Sequence, residues 1–213
     1  MSSRKFLFLG FICCLSLGIF TPVAQATLYD LIVFTNNGSP YDELAVAVDV
    51  TEGGLNQVDF TFYNNSTVIS TITAIYFDGE ALLDIAYINS SPGVSFTENK
   101  VSPPVLPGGN MIGFDATVGL LADSDDPGPQ NGVNSLRDPE EWVTITFNLQ
   151  SGFDFSGVIA DLDNNALNIG VHLTNIGEYS ESLACYVPEP TTICLLGLGA
   201  LVLLRRRPAF ISS

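Results

Sequence analysis

Val58-Asp59-Phe60-Thr61-Phe62 alternates apolar and polar side chains at a period of two, and it stops at the turn-forming Asn64-Asn65-Ser66. In a strand, successive side chains point to opposite faces, so this run puts Val58, Phe60 and Phe62 on one side and Asp59 and Thr61 on the other. The same pattern precedes it. In Glu43 to Val50, Leu44, Val46, Val48 and Val50 share a face opposite Ala45, Ala47 and Asp49, and Gly53-Gly54 turns the chain between the two runs. Two half-buried strands joined by a short turn make antiparallel neighbours.

Outward from this pair, further strands are expected at Leu28 to Thr35, Ile72 to Phe77, Leu82 to Ile88, Trp142 to Leu149 and Asn168 to Thr174. About seven strands at this spacing predict an all-β fold, an antiparallel β-sandwich of Ig-like or jelly-roll-like form whose two sheets bury their apolar faces. One short helix is expected over Phe155 to Asp163, capped by Asp154 or Ser156, with Val158, Ile159 and Leu162 on one side. Ser91 to Gly132 contains Pro92, Pro103, Pro104, Pro107, Pro127 and Pro129, and reads as a long loop region with short edge strands.

The ends of the chain have a different character. Arg4 and Lys5, the apolar stretch Phe6 to Phe20, and Ala24-Gln25-Ala26 have the layout of a secretory signal helix, cut by signal peptidase after Ala26 so that Thr27 begins the mature chain. At the other end Val187-Pro188-Glu189-Pro190-Thr191 leads into an apolar run to Leu204, then Arg205-Arg206-Arg207 and a tail, 208–213. The prolines hold Val187 and Glu189 extended. The run Thr191 to Leu204 spans 14 residues, about 21 Å as a helix, and reads as a short transmembrane helix in a bilayer core of about 30 Å. The arginines stay cytoplasmic and leave the preceding domain outside. The expected organisation is a signal peptide at 1–26, a β-sandwich at 27–186, a sorting signal with membrane helix at 187–207 and a cytoplasmic tail at 208–213.

The order of tripeptide, glycine-containing apolar run and arginine cluster closely resembles the PEP-CTERM sorting segment of bacterial proteins. The resemblance implies recognition by an exosortase-type membrane peptidase and transit from a membrane-anchored form to the cell surface or extracellular matrix. The same motif also carries an ice-binding protein C-terminal name, but Thr71-Ile72-Thr73 and Thr144-Ile145-Thr146 are isolated pairs and not the repeated threonine array that ice binding needs. The middle of the chain is similar to β-sandwich domains found in such proteins, through Ile75-Tyr76-Phe77-Asp78-Gly79, Ser91-Pro92-Gly93-Val94-Ser95-Phe96, Leu106-Pro107-Gly108-Gly109 and Ile169-Gly170-Val171-His172.

Between Thr27 and Val187 lie 22 of the 23 acids and two of the seven bases, Lys100 and Arg137, a formal charge of −20. Nucleic acid and anionic lipid are repelled by such a surface. Cys13, Cys14 and Cys194 fall in the terminal apolar runs, so Cys185 alone remains and a disulfide framework within the domain is excluded.

One histidine, His172, and no Gly-x-Ser-x-Gly elbow argue against a Ser-His-Asp hydrolase and against zinc. No catalytic residue and no obligatory cofactor is assigned. Calcium is the cation to consider, because Asp123, Asp125 and Asp126 crowd one loop and Asp161 and Asp163 another, although neither is an EF-hand. Solvated turn aspartates are the ordinary alternative. The functional expectation is a structural or binding module and not an enzyme. A carbohydrate-binding or adhesive module for extracellular polysaccharide is the alternative, with Tyr41, Tyr63, Tyr76, Tyr87 and Trp142 as the aromatics to place, and a glycoside-acting enzyme with paired carboxylates is the third reading.

Overall fold

The computed structural model describes residues 26–99, 104–123 and 131–185. Eleven strands, antiparallel throughout, make up the fold: β1 (Ala26–Val33), β2 (Val46–Glu52), β3 (Gln57–Asn64), β4 (Thr71–Asp78), β5 (Leu82–Ser90), β6 (Phe96–Glu98), β7 (Val118–Ala122), β8 (Val133–Asn134), β9 (Trp142–Leu149), β10 (Asn168–Ile176) and β11 (Tyr179–Ala184). The helix α1 (Phe155–Asp163) sits between β9 and β10 with the Asp154 carboxylate accepting from the Gly157 amide, so the first of the two expected caps is the one used. Val158 and Leu162 are buried and Ile159 packs beside them, the face anticipated from the sequence. The segments expected as a signal helix and a membrane helix lie outside the described residues, and no described helix is long and apolar enough to cross a membrane.

The expected picture of two sheets changes in one respect. Hydrogen bonding runs along a single path, β5-β9-β3-β2-β1-β11-β10-β4-β7-β6, with β8 beside β4. β1 is the bend in that path. Its Ala26 to Leu31 pair with β2, from Ala26 opposite Thr51 to Leu31 opposite Val46, and its last two residues, Ile32 and Val33, pair with Ala184 and Leu183 of β11. A strand that changes partner midway belongs to both halves of the sheet, which makes the whole nearly barrel-like. It also explains the weak patterning of β1, in which only Leu31 is fully buried.

The two halves meet through aromatic rings. Phe77 on β4 lies edge-on to Phe60 of β3 and Phe147 of β9, with centroids 5.0 and 4.8 Å apart. Such contacts add about 1 kcal/mol each beyond burial of the rings. Val46, Val48 and Val50 of β2, and Val143 and Ile145 of β9, complete the core with Ile75, Ile169, Val171 and Leu183 from the opposite half. Every one of these sits on the apolar side of a period-two strand.

The proline-rich stretch supplies the short strands β6 and β7 and a loop, 104–116, that folds back over the outside of the second half. Leu106 buries against Ala74 and Tyr76, with Phe34, Phe114 and Ala116 around it. The loop seats here because Gly170 leaves a hollow: a Cβ at that position would meet Leu106 Cδ2 at 2.5 Å.

Candidate functional site

β1 and β11 are antiparallel neighbours with Ile32 opposite Ala184, so the last described residue, Cys185, follows a pair about 20 Å along β1 from the strand's start at Ala26. Tyr29 near the start of β1 donates to the Asp163 carboxylate at 3.0 Å, tying the last turn of α1 to that end. Burial first, and Asp163 second, push the Tyr29 phenol above its ordinary range. A cleft of about 180 Å³ lined by Ile112, Phe114, Asn165, Asn168 and Cys185 marks the exit. Cys185 is a free thiol and buried, and burial, followed by the charge of Asp163, pushes its pKa up to about 11. A thiol so placed stays protonated and unreactive at neutral pH.

The sorting residues Val187, Pro188, Glu189, Pro190, Arg205, Arg206 and Arg207, and Ala24 of the cleavage site, lie outside the described residues. What the structure does fix is their point of attachment. Thr27 pairs with Val50 one residue into β1, so a cut after Ala26 would take the Ala26–Thr51 pair and leave Thr27 to Leu31 paired with β2. Cys185, the last described residue, donates its amide to the Ile169 carbonyl at 2.8 Å.

The far end of the fold carries the β10–β11 turn and an open apolar groove of about 490 Å³, lined by Pro40, Val68, Ile69, Leu136, Ile176 and Tyr179. Leu136 holds the left-handed region, at φ 57°, which a branched apolar residue seldom occupies. Beside it Arg137 meets Glu141 at 3.5 Å.

The aspartates expected to crowd together are held separately where they are described. Asp123 follows β7 and accepts from the hydroxyls of Ser95 at 2.6 Å and Thr97 at 2.9 Å. Asp125 and Asp126 lie outside the described residues. Asp161 and Asp163 stand two apart in the last turn of α1, a spacing that turns their side chains away from each other on a helix. Among the described residues no group of three carboxylate, imidazole or thiol side chains is placed to hold a metal ion.

His172 lies on the outer side of the second half, where its Nδ1 is 3.0 Å from Ser182 Oγ. Burial lowers its pKa and the nearby Glu181 only partly offsets this, so the ring is neutral at pH 7. Ser182 is fully buried and His172 half-buried.

Glu181 is the charged residue that strand patterning overlooks. Its side chain is 0% exposed and accepts from Thr35 Oγ1 at 2.5 Å, the Asn37 amide at 2.8 Å and Ser39 Oγ at 2.8 Å. Burial alone would raise its pKa, but these donors outweigh burial and hold the carboxyl below the usual carboxylate range. The carboxylate thereby clamps the 34–40 turn onto β11. The alternation Tyr179, Glu181, Leu183 was the available signal, but an acid on the inward face reads as a break in a strand.

Of the five aromatics, Tyr63, Tyr87 and Trp142 share one place, the outer face of the first half. β9 alternates Val143, Ile145 and Phe147 inward with Trp142, Thr144, Thr146 and Asn148 outward. Tyr63 stands directly opposite Trp142, and Tyr87 opposite Thr146. Tyr41 is at the far end near Pro40, and Tyr76 is buried under the 104–116 loop.

Comparison with curated proteins and with solved structures gives no match. Comparison with family models gives one: residues 187–207 match the PEP-CTERM protein-sorting motif, the segment that follows the exit at Cys185. The chain is therefore a protein that carries a PEP-CTERM sorting motif, of the kind that an exosortase-type membrane protein processes.

Proposed function

We propose that this is an exported bacterial surface or matrix protein whose β fold, a sandwich-like module at 27–186, works by binding or spacing and performs no catalysis. The observation that carries the reading is the sorting motif at 187–207, set directly after a fold whose first and last strands are neighbours. Export begins with removal of 1–26 by signal peptidase. The apolar run 191–204 then holds the protein in the membrane, with Arg205, Arg206 and Arg207 on the cytoplasmic side, until the exosortase-type peptidase releases it to the surface.

Because the sorting motif follows Cys185 closely, the anchored form stands with the cleft near Cys185 towards the membrane and the β10–β11 turn away from it. The acidic surface suits this position, since it repels anionic headgroups and keeps the body of the protein in solvent. The neutral, half-buried His172, paired with the buried Ser182, supports a non-catalytic role.

Fractionation of cells expressing variants tests the sorting step. Pro190→Ala, and separately Arg205→Ala, Arg206→Ala and Arg207→Ala together, are expected to leave the protein in the inner membrane fraction while the unmodified protein reaches the surface. Normal delivery of both variants would contradict the proposal.

A further inference from the structure

The outer face of the first half of the sheet presents three ordered rows across β5, β9, β3, β2 and β1. Asn89, Thr144, Thr61, Asp49 and Leu28 form one, Tyr87, Thr146, Asp59 and Thr51 the next, and Trp142, Tyr63, Ala47 and Asp30 the third. Five strands at about 4.8 Å spacing make this face about 19 Å across. Cross-strand bonds fix its polar groups. Thr146 donates to Asp59 at 2.6 Å, the Thr61 and Thr144 hydroxyls are 2.8 Å apart, Gln57 donates to Asn148 at 2.9 Å, and Asn148 donates to Asp84 at 3.1 Å.

We infer that this face is a binding platform for an uncharged polysaccharide, with Trp142, Tyr63 and Tyr87 contacting the apolar faces of sugar rings and Asp49, Thr61, Thr144 and Asn89 meeting their hydroxyls. This rests on the reading of the protein as an exported binding module and names its ligand class. Three features select that ligand. Tyr87 is 52% exposed and Trp142 and Tyr63, side by side on β9 and β3, are half-buried, so this pair and Tyr87 stand apart along the sheet with the Thr144 row between them. A protein partner favours a contiguous apolar patch, whereas a sugar chain alternates apolar ring faces with hydroxyls. The face carries Asp30, Asp49 and Asp59 and, among the described residues, no lysine or arginine. Anionic polysaccharides are therefore repelled, while carboxylates accept hydrogen bonds from neutral sugar hydroxyls. The fixed cross-strand bonds also mean that little side-chain freedom is lost on binding.

Trp142 is the only tryptophan in the chain, so its fluorescence reports on this face alone. The exported protein, recovered from the cell exterior, is titrated with soluble mixed-linkage β-glucan and dextran as neutral probes and with alginate as an anionic one. The expected result is a saturable change in tryptophan emission with a neutral polymer, matching retardation in gels that contain it, and neither with alginate. Tyr87→Ala and Tyr63→Ala should weaken retardation at least tenfold without moving the melting temperature, and Leu136→Ala in the distant apolar groove should leave it unchanged. Trp142→Phe, which keeps a ring in place, should retain binding where Trp142→Ala loses it. Silence towards both neutral polymers, equal binding of alginate, or retention of binding in Tyr63→Ala and Tyr87→Ala would overturn the inference. A protein that reaches the surface normally yet binds no polymer overturns this inference alone and leaves the sorting proposal standing.

Discussion

Glu181 shows how much one side chain can hold in place. Glu181→Ala removes the acceptor shared by Thr35, Asn37 and Ser39 and leaves the buried Ser39 hydroxyl unpaired, which should cost about 1–3 kcal/mol of stability, measurable by denaturant unfolding. The pH dependence has a definite sign. Its folded-state pKa lies below the ordinary value, so the folded form holds fewer protons than the unfolded form. Its contribution is complete above the unfolded value of about 4.3 and is lost as pH falls through the lowered folded value. Acid titration of stability should be shallower for Glu181→Gln than for the unmodified protein over that window. Nothing in the local sequence marks this role, because the donors lie more than 140 positions away. Phe77 is the contrary case. Period-two alternation alone put Phe60 and Phe62 inward, and Phe77, fully buried between the two halves, makes Phe77→Ala a loss of about 3–5 kcal/mol.

Among the elements, β9 and α1 were legible to the residue, since Trp142–Leu149 alternates cleanly and Phe155–Asp163 has an acid cap and one apolar stripe. β11 was not, because Glu181 and Ser182 are buried polar residues, the first satisfied by partners more than 140 positions away and the second by His172 on the neighbouring strand. β1 was found as a strand, but its change of partner from β2 to β11 depends on where two other strands end, and no pattern within eight residues records that. The 104–116 loop was legible as a loop through its prolines, while its seat was hidden in Gly170. Gly170→Val should displace Leu106 and Phe114, exposing Tyr76 and the second apolar cluster. The expected reading is faster amide hydrogen exchange across Ala74 to Phe77 with the main core unchanged. Unaltered exchange there would mean that the loop does not depend on this hollow.

For the whole molecule, composition and the sorting motif were the most readable part. The charge of residues 27–187 and the motif at 187–207 are both local properties. The three aromatics of the first half show the opposite: Tyr63, Tyr87 and Trp142 are spread over 80 positions, and only the β5-β9-β3 pairing brings them to one face. Removal of residues 1–26 and of the segment after Cys185 would take only the Ala26–Thr51 pair from the described sheet. The intact mass of the protein recovered from outside the cell tests this most directly. A chain that begins at Thr27 and ends before Arg205, with the β fold retained, is the predicted result. A surface protein that still carries residues 1–26, or that runs on through Arg207 to Ser213, would contradict it.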